Sequence, residues 1–205
     1  MKKKAVILPV AGIVSAFILW YVIFVVSPMN FWLSMCLGVL LLAGYAVMIE
    51  RDEFRHDTFR FHHIALGLLS AALLYGCFYV GNILAGLFIP AKDAQIMSVY
   101  ANRTSLHPVV IGAALLMIIG PGEELFWRGF IQKRLKRFGV FSVVLQALIY
   151  ALVHAVTFNF MLIMAALVCG LFWGALYYWK KSIYPVIISH AVWDVTVFLL
   201  LPFHR

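Results

Sequence analysis

Seven long apolar runs, separated by short polar ones, decide what this chain folds into. They are Ala5–Val26, Phe31–Ile49, Ile64–Ile89, Val109–Ile131, Phe138–Phe158, Phe160–Trp179 and Ile183–Phe203. About 20 helical residues cross the hydrocarbon core of a bilayer. Inside that core every backbone N–H and C=O needs a partner within its own helix or within a closed barrel. The runs lack the short alternation of barrel strands. They predict an all-α, polytopic transmembrane helix bundle of about seven spans. Composition agrees: 65% of the chain is hydrophobic and 12% charged, against about half and a quarter in soluble domains. Residues 1–205 are expected to form a single integral membrane domain, with 1–106 supplying the N-terminal spans and 107–205 the polar residues discussed below. The run after Met1-Lys2-Lys3-Lys4 is longer than a signal-peptide core, so it is expected to stay as the first span.

The net charge of +8 does not point to nucleic acid, because the basic residues sit in clusters between the apolar runs. Such clusters read as topology signals. With a cytoplasmic N-terminus, twelve Lys and Arg fall in the inside segments 2–4, 51–60, 133–137 and 180–181. Only Lys92, Arg103 and Arg205 fall outside, and Arg128 lies within a span. The bias predicts an N-in, C-out protein of the plasma (inner) membrane.

The next constraint is the stretch "GPGEELFWRGF", Gly120–Phe130, which places three charges inside an apolar run. Within the spans the ionisable residues are Glu123, Glu124, Arg128, His154, His190 and Asp194, and all belong to the C-terminal half. A charge at mid-bilayer costs at least ~2.5–3.5 kcal/mol on insertion scales. Gathered around one water-accessible cavity, six such groups solvate and pair with one another. Glu124 and Arg128 stand four apart on one helical face, as do His190 and Asp194. Glu123 points about 100° away from Glu124, so it is the acid less neutralised by Arg128. Pro121 between two glycines predicts a kink. A half-helix starting there would turn its first N–H groups toward the glutamates. At ~1.5 Å per residue, Glu123, His190 and Asp194 are expected ~13, ~10 and ~16 Å from the inner span ends, but His154 ~24 Å. A later start, a tilt or a displacement of its span would reconcile the last figure. These charged groups are accordingly expected within the bilayer, nearer the cytoplasmic side.

Read singly, each feature has a structural explanation. Glu124–Arg128 suits a buried ion pair, His154 a hydrogen-bonded bundle residue, His190–Asp194 a helix-stabilising pair, and Gly-Pro-Gly a common membrane kink. Jointly they require three polar groups to arise independently on three helices. His-Glu-x-x-His and Gly-x-Ser-x-Gly signatures are absent from the sequence, and Asp194 has no second intramembrane aspartate to form a dyad. Cys36, Cys77 and Cys169 lie in apolar segments without metal or disulfide spacing. His56, His62 and His63 read as interfacial histidines. Ala166, Gly170 and Gly174 form a small-xxx-small pattern that permits close helix approach.

The motifs also resemble a known family. "EELFWRG" resembles the Glu-Glu-x-x-x-Arg motif of the CPBP family (CAAX protease and bacteriocin-processing, or Abi), which includes the type II CAAX prenyl endopeptidases. "YALVH" resembles its Phe-x-x-x-His motif, with Tyr150 for Phe. "HAVWD" resembles its His-x-x-x-Asn motif, with Asp194 for Asn. The similarity covers roughly Pro108–Phe203. It implies an intramembrane glutamic endopeptidase without a cofactor or obligatory metal. It further implies that Glu123 and His154 activate a water, and that His190 and residue 194 stabilise the oxyanion. Glu124 and Arg128 would orient the site, and Tyr150 keeps the aromatic body of the motif. An ionised Asp194 cannot donate to an oxyanion; it would act protonated, or by holding His190 as an imidazolium donor.

The resemblance implies a membrane-associated peptide or protein as substrate and the lipid bilayer as surroundings, with no nucleic acid. Two other classes compete. One is a non-catalytic membrane scaffold or bacteriocin-immunity protein that retains the fold, favoured by Asp194. The other is a proton-coupled transporter with Glu123, His154 and Asp194 as a relay. A metal-dependent peptidase is a third alternative, since Glu and His also bind metals.

Overall fold

A computed structural model describes residues 2–203, and all side chains in that range except those of residues 2–5, Asp52, Glu53 and Arg55. The topology signals at Lys2, Lys3, Lys4, Arg55 and Arg205 therefore lie, as side chains, outside what is described. The described residues contain no strand. Helix α1 (Lys2–Tyr21) continues as a π turn, Val22–Val26, and is followed by α2 (Phe31–Ile49), α3 (Arg51–His56), α4 (His62–Phe88) and α5 (Lys92–Tyr100). The next span is built in pieces: α6 (Pro108–Ala114), a π stretch Leu115–Ile119, α7 (Gly120–Phe126) and a second π stretch Trp127–Gln132. Then come α8 (Phe141–His154) with a 3-10 turn Ala155–Thr157, α9 (Phe160–Lys180), and α10 (Tyr184–Val195) with a π turn Thr196–Leu200.

Five of the expected runs form helices long and apolar enough to cross a membrane, Pro108–Gln132 counted as one. The runs Phe141–Thr157 and Tyr184–Leu200 are shorter apolar helices. Helices α3 and α5 lie outside the seven apolar runs. They are short and polar, without a long apolar stripe to mark them.

Local signals set the boundaries. Asn30 accepts the Trp32 N–H at 3.0 Å and starts α2. Pro108 sits in the first turn of α6, where its missing N–H costs nothing. Asn159 accepts the Leu162 N–H at 2.9 Å, so the turn between α8 and α9 is only Phe158 and Asn159. Lys181, with φ +55°, ends α9.

The distribution of polarity is that of a protein dissolved in lipid. Met48, Leu87, Phe88 and Met117 are exposed large hydrophobic residues on the spans. Glu123, Glu124, Arg128, Gln132, Gln146, His154, His190 and Asp194 are all buried. Charge that lipid cannot solvate is gathered inward, where side chains solvate one another.

The Gly-Pro-Gly stretch does not break the span. Proline clashes with the carbonyl four residues earlier, here that of Met117. The π stretch Leu115–Ile119 absorbs this, and the Gly120 N–H bonds to the Leu115 carbonyl. The expected half-helix with free N–H groups is therefore not formed at Gly120; the chain widens instead of stopping. The glycines serve packing. A Cβ on Gly120 would lie 2.9 Å from the Ala191 Cα of α10, and one on Gly122 would lie 2.4 Å from Val39 Cγ1 of α2. Both neighbours can approach α7 because these two positions are bare.

Candidate active site

Close packing around α7 sends its two glutamates to different partners. Glu123 turns to α8, where the Tyr150 hydroxyl donates to its Oε2 at 2.7 Å. Glu124 turns to α10 and to its own helix. Its Oε1 accepts from Arg128 Nη1 at 2.7 Å and contacts His190 Nδ1 at 2.7 Å. The expected divergence of the two acids is thus observed, as is the Glu124–Arg128 pair.

Arg128 and Glu124 have no exposed surface. Arg128 Nη2 donates to the carbonyls of Cys169 and Gly170 on α9, at 3.2 and 3.4 Å. A Cβ on Gly170 would lie 2.9 Å from the Ala147 Cα. The small-residue pattern therefore closes α8 onto α9, as expected, and the carbonyl of Gly170 also receives the arginine. One position serves packing and electrostatics together. The guanidinium also lies 5.2 Å from the Tyr150 ring centre and 5.4 Å from that of Trp173.

His190 sits between two carboxylates. Nδ1 meets Glu124, and Nε2 lies 3.4 Å from Asp194 Oδ2. Its ring stacks on Trp173 at 3.8 Å, and the Trp173 indole in turn donates to Ser189 Oγ at 3.1 Å. Arg128, Glu124, His190 and Asp194 form one continuous polar chain from the π stretch Trp127–Gln132 through α7 to α10.

His154 lies at the end of α8, one turn beyond Tyr150. Nδ1 bonds to the Tyr150 carbonyl at 2.8 Å, and Nε2 accepts from the Trp20 indole at 3.1 Å. A carbonyl only accepts, so Nδ1 carries the proton and Nε2 the lone pair. Helix α8 starts at Phe141, three residues later than expected, which removes part of the depth discrepancy for His154. Tyr150 removes the rest, since its hydroxyl reaches Glu123 while its carbonyl holds His154.

Glu123, Tyr150, His154, His190 and Asp194 all line one cavity of about 1000 Å³. Glu124 and Arg128 are not on its wall; they lie behind it. The three motif segments are thus brought together, with the acids and histidines facing the space and the ion pair supporting them.

Several contributors escaped the sequence reading. Trp20 is one aromatic among many in an apolar run, and nothing local marks it. Trp173 stands in a stretch whose sequence signal is its glycines. Gln132 and Gln146 carry no charge, so they do not stand out in an apolar run as the ionisable residues do. Gln132 Nε2 bonds to the Gly174 carbonyl at 2.8 Å, and Gln146 has no exposed surface. A search for buried amides within the spans would have found both.

Residues 105–196 match the family model described as Type II CAAX prenyl endopeptidase Rce1-like. That segment runs from before α6 to the end of α10 and holds all three motifs. The resemblance to the CPBP family holds over it, and the chain is a helical membrane protein similar to a family of peptidases. No curated protein and no solved structure matches the chain.

Proposed function

We propose that this protein is an intramembrane endopeptidase that hydrolyses a peptide bond in a membrane-associated substrate. One observation carries the reading. The motif residues of three helices face a single cavity, while their buried ion pair stands outside it.

In this reading Glu123 is the general base. Tyr150 occupies Oε2 and fixes the carboxylate plane, which leaves Oε1 to take a proton from water. His154 holds its Nε2 lone pair against Trp20, so it shares in proton transfer only when that bond is exchanged for one to water. Until then it positions the site. His190 is the donor to the developing oxyanion. Its Nδ1 is held by Glu124, and its Nε2, 3.4 Å from Asp194, is the nitrogen that turns to the oxyanion. Asp194 accordingly acts through His190 rather than on the oxyanion itself, which gives the Asn-to-Asp replacement a workable role. Preorganised donors of this kind contribute about 10²–10³-fold in rate. Glu124 and Arg128 orient His190 and anchor α7 to α9. None of these steps calls for a metal or cofactor.

The test is a comparison of membrane peptides from cells carrying the wild-type or the Glu123→Ala protein, each shown to insert to the same level. Peptides whose uncut precursors accumulate with Glu123→Ala support the reading. Identical peptide profiles sink it and favour the scaffold or transporter alternatives.

A further inference from the structure

A second cavity, of about 410 Å³, lies at the end of the bundle that carries the basic clusters. Four segments meet there: the loop after α3, the end of the span Pro108–Gln132 with Lys133, the last turn of α9 and the turn into α10. None of its lining residues also lines the cavity of Glu123. Its volume falls within the range of small-molecule sites. Gly129 and Phe54 both line it, and a Cβ on Gly129 would lie 2.5 Å from Phe54 Cε1. The Phe54 ring rests there on bare backbone.

The lining holds an excess of positive charge. Arg60, Lys133, Lys180 and Lys181 supply cations, and Asp57 is the one carboxylate among the described side chains of the lining. Lys133 bonds to Glu50, which stands outside the lining, at 2.9 Å. Asp57 Oδ2 accepts the Ile183 N–H at 2.6 Å. Among the described residues no carboxylate lies within ion-pair distance of Arg60, Lys180 or Lys181. Lys180 and Lys181 lie against aromatic faces instead, with Nζ 3.4 Å from the Trp179 ring centre and 3.7 Å from that of Tyr178.

Two buried side chains add uncharged donors to the wall. Ser182 is 6% exposed, and its Oγ has no hydrogen-bond partner. A serine just before a helix ordinarily caps it. Here Asp57, from another segment, takes the Ile183 N–H, and the Ser182 hydroxyl is left unused. Buried polar groups without a partner are rare and point to a water or ligand. His63 is also buried, and its Nδ1 accepts the Arg60 N–H at 3.3 Å, so Nε2 carries the proton and is a donor. The surroundings are those of a lipid–water boundary. Phe59 and Phe61, on the loop that supplies Asp57 and Arg60, are exposed, as is Trp179 beside Lys180. Aromatic rings at the ends of spans sit at the headgroup level.

We propose that this cavity binds the phosphate of an anionic lipid headgroup. Arg60, Lys180 and Lys181 meet its negative charge with charge-assisted bonds, and Ser182 and His63 supply donors at the wall. Basic pockets between spans at the membrane surface suit such headgroups. Free inorganic phosphate offers the same oxygens but no acyl chains for Phe59 and Phe61 to meet, which favours the lipid. The bound headgroup ties together segments that include the start of α10, the helix of His190 and Asp194. The site stands whether or not the protein is a peptidase.

Titration with a short-chain phosphatidylglycerol tests the proposal. The purified protein is held in a non-ionic detergent, and bound lipid is counted by native mass spectrometry. The expected result is one lipid bound well before any other. Replacing Arg60→Gln, Lys180→Gln and Lys181→Gln together should weaken that binding by at least about tenfold. Lys136→Gln with Arg137→Gln removes charge at the same end but outside the cavity, and should weaken it by less than about twofold. Each variant must keep the wild-type unfolding midpoint without lipid. If the triple variant does not, Ser182→Ala takes its place, with an expected loss of about fivefold or more. No lipid held by the wild type, no loss in the cavity variant, or equal losses inside and outside the cavity overturns the proposal. Inorganic phosphate and short-chain phosphatidylcholine, each at the same concentrations, should not displace the bound lipid. Displacement by phosphate assigns the cavity to a free anion, and displacement by phosphatidylcholine to phospholipids in general; either overturns the anionic-lipid assignment.

Discussion

At the scale of single residues, the protein stabilises charge in lipid by giving each buried ionic group a stated partner. Removing one partner of such a pair strands the other and costs about 3–5 kcal/mol, whereas replacing both by apolar groups is often neutral. Arg128→Met is therefore expected to destabilise the protein by about that amount, and Arg128→Met combined with Glu124→Leu by clearly less. Thermal unfolding in detergent, read by tryptophan fluorescence, makes the comparison. Equal losses in the single and double variants would contradict the pairing. Tyr150 leads to a different expectation. Its hydroxyl donates to Glu123 Oε2 at 2.7 Å, yet the resembling family has Phe at that position. Tyr150→Phe should slow cleavage by no more than about tenfold, the worth of one hydrogen bond of ~1.4 kcal/mol. Complete loss of cleavage would mean that Tyr150 takes part in the chemistry itself. Asp194→Asn restores the motif residue. Because Asp194 stands 3.4 Å from His190 Nε2, the change keeps a polar neighbour of the same size. The expected outcome is retained cleavage, and complete loss of cleavage would show that the carboxylate itself is required.

At the scale of elements, the site depends on how closely α2 and α10 approach α7 and how closely α8 approaches α9. Glycines at the contacts set those distances. Gly120→Ala would put a Cβ 2.9 Å from the α10 backbone, and overpacking of this kind costs about 1–3 kcal/mol. Gly76 of α4 has nothing within 4 Å of a built Cβ. Gly76→Ala should be neutral or stabilising by about 0.5–1 kcal/mol. Unfolding midpoints that move together for the two variants would show that helix propensity, not approach, governs Gly120. The first helix is also part of the site through Trp20. Trp20→Phe keeps most of the ring but removes the donor to His154 Nε2. Nitrogen chemical shifts of labelled histidine should then show a changed His154 signal, while those of His190 stay in place.

At the scale of the whole molecule, lipid made most of the fold legible. Long apolar runs have few alternatives in a bilayer, so the helices and their order followed from the runs, five of them long enough to cross a membrane and two shorter. The motif residues were legible for the same reason: Glu123, Glu124, Arg128, His154, His190 and Asp194 are costly in lipid and stand out against it. Other features were hidden because their cause is tertiary. A π stretch before Pro121 is a response to a clash, and no residue in Leu115–Ile119 announces it. Trp20 matters only because α1 lies beside α8, and that proximity has no local signature. The dual use of Gly170 depends on an arginine from another helix. The central claim is that Glu123 is the base of a peptidase, and purified protein tests it most directly. Wild-type and Glu123→Gln proteins are placed in nanodiscs and incubated with the membrane fraction of cells carrying Glu123→Ala, where uncut precursors collect. The wild type should convert those precursors at least about 10²-fold faster than Glu123→Gln, the usual contribution of a positioned base. Equal conversion by both, or by neither, would contradict the account.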